Sequence, residues 1–321
     1  MNLGMSETFP WGDTRRFHSY SAYFRRLFGG RMQKVVIDAG FTCPNRDGTI
    51  STGGCSFCNN DAFSPSYSHR GYSVSRQIDE GILFHRNRYP RAQRYLAYFQ
   101  SYSNTYKPLA ELRAIYDEAL RHPSIAGIVV GTRPDCVDEA KLDYFAELAA
   151  AGHYVILEYG VESVYDATLR RVNRGHDFAA AVRAIEQTAA RGVHCGAHFI
   201  LGLPGESDEM LVGQSAVINS LPLDTVKFHQ LQLFHDTAMA RDYAEHPGEY
   251  RFRTLPEYLD LFIDLLERLR PELVIERFAG EAPPRYHLHP SPWGSVRNER
   301  LLQLLEARLE ERATWQGRLF R

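Results

Sequence analysis

Three of the chain's five cysteines, Cys43, Cys55 and Cys58, fall in the polar stretch "FTCPNRDGTISTGGCSFCNN" with the spacing C-x11-C-x2-C. Three thiols so close in a loop of Gly, Asn and Thr cannot all be buried packing groups, which leaves metal or redox chemistry. A structural zinc ion takes four Cys or His ligands and a catalytic one takes three plus water; His69 would be a distant fourth. An iron–sulfur cluster held by three cysteines leaves one iron without a protein ligand, open to a substrate or cofactor, whereas electron-transfer clusters usually carry four. A redox dithiol at Cys55 and Cys58 is the third option, and the spacing by itself leaves all three open. Two further segments carry reactive side chains: "GTRPDCV" holds Arg133, Asp135 and Cys136, and "KFHQLQLFHDT" holds Lys227, His229 and His235. With the two-residue period of a strand, Lys227 and His229 share one face and point the same way. Cys136 reads either as a hydrogen-atom donor or holder of an intermediate, or as a buried free thiol.

These groups have to be positioned by the elements around them. Short β-branched runs alternate with segments of helical period, the pattern of βα units and a parallel sheet. Six strands are expected at 34–39, 95–100, 125–131, 153–160, 194–202 and 225–234. Helices are expected at about 74–88, 109–121, 138–151, 163–172, 177–191 and 208–220, which suits crossover connections. Cys43 then follows the first strand, so its loop lies at the carboxyl ends of the strands, where sites on such folds are built. Beyond the sixth strand the pattern changes: a helix near 255–269 opens with Thr254, Pro256 and Glu257 as capping chemistry, followed by a strand-like "ELVIERFAG", the Pro-rich bend "EAPPRYHLHPSPWG" and a charged helix at about 297–312. No Gly/Ser-rich linker sets this part off. The division expected is an N-terminal segment at 1–30, a core at 31–236 and a C-terminal extension at 237–321.

At 321 residues and 44% hydrophobic, the chain has ample core without a disulfide framework. Five cysteines in that length, no apolar run near 20 residues and no basic-then-apolar leader lead to the expectation of a reducing, cytoplasmic setting without a membrane. The net charge of −2 is unevenly spread. Arg15, Arg16, Arg25, Arg26, Arg31 and Lys34 crowd the first 34 residues, and six Arg stand against four Glu in 297–321. These basic ends read either as solvated helix faces or as a phosphate-binding surface.

Taken together, "CPNRDGTISTGGCSFCN", "RYLAYFQSYSNTY", "VGTRPDCV", "LEYGVES", "RRVNRGHDF", "HFILGLPGE", "GEAPPRYHLHPSPW" and "TWQGRLF" resemble the YhcC/YtqA-type branch of the radical S-adenosylmethionine (SAM) superfamily, a relative of the Elongator catalytic subunit. The resemblance covers nearly the whole chain. Its long first cysteine gap departs from the superfamily's usual three-residue spacing but fits this branch. It implies an α/β fold, a partial (β/α)6 TIM-like barrel with a C-terminal α/β extension. It also implies a 4Fe-4S cluster on Cys43, Cys55 and Cys58, whose open iron binds the amino and carboxylate groups of S-adenosylmethionine. Reductive cleavage of that cofactor gives methionine and a 5′-deoxyadenosyl radical that abstracts hydrogen from a substrate.

The same resemblance implies roles for single residues. Phe57 would stack beside the adenine. Gln100 and Ser101, with the backbone near 100–103, would accept from the bound amino group, in place of the Gly-rich motif of relatives. Glu162 would reach the ribose hydroxyls, Arg174 would clamp the cofactor carboxylate, and Ile200, Leu201 and Gly202 would line the adenine pocket. Lys227, His229 and Cys136 are the candidate substrate-handling residues. A flavodoxin- or ferredoxin-type protein would supply electrons. The implied substrate is a tRNA wobble-uridine side chain, with a small metabolite as the alternative. The rivals from other classes are a zinc-stabilised RNA-binding or regulatory protein without catalysis and a zinc hydrolase. Cys136 and Cys195 stand too far apart in sequence to assert a second cluster.

Overall fold

A computed structural model describes residues 8–87, 89–288, 293, 294 and 296–321. Among them, seven strands form one sheet in chain order, each parallel to the next: β1 (Arg31–Ile37), β2 (Ala92–Phe99), β3 (Ile125–Thr132), β4 (Tyr154–Glu162), β5 (His194–Leu201), β6 (Thr225–Gln230) and β7 (Val274–Arg277). Strand β3, "IAGIVVGT", is buried at every residue, as a parallel strand covered on both faces must be. The crossover helices are α2 (Val74–Arg86), α3 (Leu109–Leu120), α4 (Glu139–Ala150), α5 (Asp166–Arg171) with α6 (Phe178–Ala189), α7 (Asp208–Ser220) and α9 (Leu255–Leu266), with α1 (Tyr20–Phe28) ahead of the sheet and α8 (Ala238–Glu245) after β6. A final helix, α10 (Asn298–Glu311), packs on α9.

The sheet is curled. At roughly 4.8 Å between neighbours, seven flat strands would hold β1 and β7 roughly 29 Å apart. Yet Lys34 on β1 places its Nζ 2.8 Å from Glu276 on β7 and 2.7 Å from Glu158 on β4. The edges β1 and β7 do not pair with each other. The amino-terminal segment bridges them instead: Ser19 makes an isolated parallel bridge to Ile275, and α1 packs on both β1 and β7. Ser19 caps this helix, accepting from Ala22 N, and Gly29 closes it at φ 69, the left-handed turn that glycine takes without a side-chain clash. Its Phe24, Tyr20 and Phe28 pack against Leu96, Val129, Tyr154 and Ile156, filling the lumen from the amino ends of the strands.

All six expected strands are present, and the seventh is the "ELVIERFAG" segment assigned to the extension. The α9 crossover delivers it parallel to β6, so residues 237–321 contribute to the same sheet. Helices α1 and α8 were not foreseen. Strand β6 stops at Gln230 rather than 234: Leu231 N still reaches Leu201 O at 3.0 Å, but the chain then turns away. Of the Pro-rich bend, residues 289–292 lie outside the described residues.

The two basic ends meet. Arg15 Nε pairs with Glu306 at 2.8 Å, Gln316 N donates to Arg16 O and His18 N donates to Gln316 Oε1. This junction, with the exposed Arg25 and Arg26 of α1, lies at the amino ends of the strands, and Lys34 is no surface cation but a lumen residue.

Candidate cofactor and substrate site

At the carboxyl ends of the strands a cavity of about 270 Å³ is lined by Cys43, Cys55 and Cys58 and by residues from β2 to β7 and the turns that follow them. The cysteine loop leaves β1 under tight control. Gln77 of α2, fully buried, accepts from Asp38 N at 2.9 Å and donates to Asp38 O at 3.0 Å. Arg46 N and Asp47 N then turn back onto Cys43 O, and Cys58 N donates to Cys55 O at 3.0 Å. Buried Asn45 ties this loop to the turn after α5: its Nδ2 donates to Asn173 O at 2.6 Å, and Asn173 Nδ2 donates to Gly54 O at 2.8 Å.

That clamp puts Arg174 against the cysteines. Its Nη1 donates to Cys55 Sγ at 3.3 Å, its Nη2 donates to Gly160 O and approaches Glu162 Oε1 at 3.8 Å, and Arg133 Nη1 holds Arg174 O at 2.8 Å while forking onto Asp135. Arg174 Nε and Asn45 Oδ1 are buried without a hydrogen-bond partner among the described residues. Two residues on the rim hold left-handed backbone that favours glycine, Tyr102 at φ 65 and Glu162 at φ 72, a strain that collects at ligand sites.

The donor set fits a cluster better than a single ion. Among the described residues, no three His, Cys, Asp or Glu side chains converge closely enough to hold one metal ion, although all three loop cysteines line one cavity. That arrangement counts against a mononuclear zinc centre, whose ligands must all reach one ion at about 2.0–2.3 Å. Thiolates on separate irons of a cluster carry no such demand.

Beneath the cavity lies a charged floor that sequence reasoning did not find. Glu158 accepts from Lys34 at 2.7 Å, Lys227 at 2.9 Å and His198 at 2.9 Å, and Glu276 accepts from Lys34 at 2.8 Å and Lys227 at 2.9 Å. Lys227 also donates to Tyr98 OH at 3.1 Å. Burial by itself would raise the Glu158 carboxyl, but Lys227 and Lys34 hold it well below the usual carboxylate range. The available signal was a charged or imidazole side chain inside each of five strands: Lys34, Glu158, His198, Lys227 and Glu276.

Of the residues singled out from sequence, Phe57, Gln100, Ser101, Glu162, Arg174, Ile200, Lys227 and His229 all line the cavity. Lys227 and His229 face it together, as the strand period requires. Others do not reach it. Leu201 alternates to the outer core, and Gly202, at φ 98, packs beside Arg253. Cys136 is buried outside the lining, its thiol 4.0 Å from Asp135 and pushed up to about 11 chiefly by burial. His69 and His235 are exposed, and Cys195 is buried in the layer between sheet and helices. Gln100 turns its amide to Phe63 O at 2.9 Å, which leaves its carbonyl oxygen as the acceptor.

The family described as the radical SAM superfamily matches residues 45–213, and the radical SAM C-terminal domain matches 223–311. The chain is 33% identical to YtqA of Bacillus subtilis (strain 168), over 97% of this chain and 95% of that protein. It is 36% identical to YhcC of Escherichia coli (strain K12), over 80% of this chain and 81% of that one. A shorter stretch, 32% of this chain and 18% of the other, is 31% identical to a tRNA uridine(34) acetyltransferase of Methanocaldococcus infernus. Among solved structures, archaeal Elp3 of Methanocaldococcus infernus shares the fold with a TM-score of 0.66 at 15% identity, covering 89% of this chain and 64%, just under two thirds, of that one.

Proposed function

The chain belongs to the radical SAM superfamily, whose enzymes use a 4Fe-4S cluster and S-adenosylmethionine, and on that premise we propose that Cys43, Cys55 and Cys58 hold the cluster at the mouth of the barrel. The observation that carries this reading is that all three cysteines line one cavity with Glu162 and Arg174. The chemistry the bound pair supplies is one-electron cleavage of the sulfonium to methionine and a 5′-deoxyadenosyl radical, which takes a hydrogen atom from the substrate.

The protein's part is to bind, orient and exclude water. Glu162, held out by its left-handed backbone, accepts from the ribose hydroxyls. Arg174 does less of the carboxylate clamping than its type suggests, because both terminal nitrogens are engaged by Cys55 and Gly160; it fixes Cys55 and keeps only Nε for the cofactor. The Gln100 carbonyl oxygen and the backbone at Ser101 accept from the amino group. Phe57 and Ile200 give the adenine an apolar bed, and Phe63, Leu231 and Phe234 shield the mouth.

Glu162→Ala tests the binding half of this reading. A charge-assisted pair of hydrogen bonds lost from a sheltered site weakens affinity by about tenfold or more. Equilibrium dialysis of S-adenosylmethionine against the reconstituted protein, without reductant, measures it; unchanged affinity would remove Glu162 from the site.

For the substrate we propose a tRNA uridine side chain, supported by the partial likeness to a protein named for tRNA uridine(34). Any RNA must meet the mouth, while Arg25 and Arg26 lie at the other end of the barrel. The double change Arg25→Gln, Arg26→Gln therefore leaves tRNA affinity and its salt slope within about twofold. Failure of the wild-type protein to retain tRNA on a filter at low salt rules the RNA reading out. We place the enzyme in the cytoplasm with a flavodoxin- or ferredoxin-type donor. All five cysteines are free thiols, and among the described residues no helix is long and apolar enough to cross a membrane.

A further inference from the structure

The wall of the cavity built by β6 and β7 presents two polar heads that the other described residues leave unsatisfied. Arg277, at the carboxyl end of β7, lines the cavity and is half-buried. Among the described residues its guanidinium has no hydrogen bond and no ion pair. The other cations on the lining are all engaged: Arg46 by the Cys58 carbonyl, Arg133 by Asp135, Arg174 by Cys55 and Gly160, and Lys227 by Glu158 and Glu276. The two glutamates of the floor are likewise matched by its two lysines, so the floor offers Arg277 no surplus anion.

His229 enters the same cavity from β6, two residues past Lys227, and its ring nitrogens have no hydrogen bond among the described residues. Burial first, then Arg277, hold its pKa well below the ordinary value, so it stands as a neutral imidazole with one N–H to donate. Its ring is fixed from two sides. Phe63 of the cysteine loop meets it edge-on at 6.4 Å, and Gly280 approaches so closely that a Cβ there would lie 2.5 Å from Nδ1. The amides nearby are committed elsewhere, because Gln230 and Gln232 both donate to Gly280 O and Gln230 Oε1 accepts from Gly280 N.

A guanidinium drawn part-way out of water with no counter-charge is costly, and the cost is relieved when an anion arrives. We propose that Arg277 and His229 form a subsite for an anionic group on the substrate, a phosphate or a carboxylate, gripped by the guanidinium fork and the imidazole N–H. Taking the cavity as the place where substrate meets cofactor rests on the radical SAM reading; the anion subsite itself does not. The cysteines, Glu162 and Arg174 are reserved for the cofactor in that reading, which makes the β6–β7 wall the substrate's side.

The test uses reconstituted holoenzyme saturated with S-adenosylmethionine, without reductant. It is titrated calorimetrically with inorganic phosphate and, separately, with succinate. The wild type is compared with Arg277→Gln, with Arg277→Lys, and with Arg251→Gln, a surface partner of Asp208 that controls for loss of net charge. The expected result is saturable binding of one of the two anions, weakened at least about tenfold in Arg277→Gln, partly kept in Arg277→Lys and unchanged in Arg251→Gln. Which anion binds tells a phosphate-bearing substrate from a carboxylate. Equal binding in Arg277→Gln, no saturable binding of either anion by the wild type, or displacement of S-adenosylmethionine by the anion would each overturn the subsite. If the wild type binds no S-adenosylmethionine at all, the cofactor reading fails, and the same titration on that protein still decides the subsite.

Discussion

Cys55→Ala leaves the reconstituted protein without bound iron and sulfide and lowers reductive cleavage of S-adenosylmethionine to background. Cys55 is the most enclosed of the three loop cysteines, at 8% exposure, and the structure converges on it. Arg174 Nη1 and Asn45 Nδ2 point at its sulfur from 3.3 and 3.6 Å. Those two donors fix where the sulfur sits in the cavity. Alanine removes a thiol that the proposed cluster needs and also leaves the buried Arg174 without its Cys55 contact, so the variant is hit twice. Cys195→Ala is the matched control, because that thiol is buried in the outer core; it should keep its iron. Iron and sulfide analysis with the visible spectrum decides the point, and a Cys55→Ala protein that retains its cluster would show that this cysteine is not a ligand.

Glu158→Gln should lower stability by about 3–5 kcal/mol, because removing one member of a buried ion network strands the others. Glu158 is 1% exposed and accepts from Lys34, Lys227 and His198. Glu276 still faces both lysines, which pulls the effect toward the lower end. The thermal midpoint should fall by on the order of 10 °C. The pH dependence carries a definite sign. The folded-state pKa of Glu158 is depressed by Lys227 and Lys34 against the opposing effect of burial. Its contribution is therefore present above the unfolded carboxylate value of about 4.3 and lost as pH falls through the folded value. The gap between wild type and Glu158→Gln is full at neutral pH and narrows in acid below about pH 4. A gap that stays constant into acid would mean that the network does not hold Glu158 ionised.

The parallel sheet was legible because each strand is a short apolar run between helices, and α2 to α7 begin and end within a few residues of their expected bounds. Helix α1 was missed although Ser19 and Gly29 bracket it. Its Tyr20, Tyr23, Phe24, Leu27 and Phe28 recur at i, i+3, i+4, i+7 and i+8, an apolar stripe that was overlooked because the segment was read for its basic charge. The charged floor was invisible for a different reason. Lys34 meets Glu158 and Glu276 across 124 and 242 positions of chain, and only the curl of the sheet brings them together. Read along the chain, Lys34 joins a basic segment; folded, it is a lumen ion.

Within the site, the three cysteines were singled out by their spacing, Lys227 with His229 by the strand period and Glu162 by the family resemblance, and all of them line the cavity. Roles that depend on neighbours were harder to read. Arg174 has the right type to clamp a carboxylate, but Cys55 and Gly160 take its terminal nitrogens. Cys136 has the right address in sequence, but the turn of Pro134–Cys136 buries its thiol away from the lining. Arg277 fell in the segment read as an extension and became a cavity residue only when β7 joined the sheet.

The most direct test of the central claim is anaerobic reconstitution with iron and sulfide, addition of S-adenosylmethionine with and without dithionite, and quantification of 5′-deoxyadenosine by mass spectrometry, beside Cys55→Ala. The expected result is a coloured protein that forms 5′-deoxyadenosine only when reduced and only with Cys55 in place. A colourless, zinc-loaded protein that forms none under reduction would contradict it.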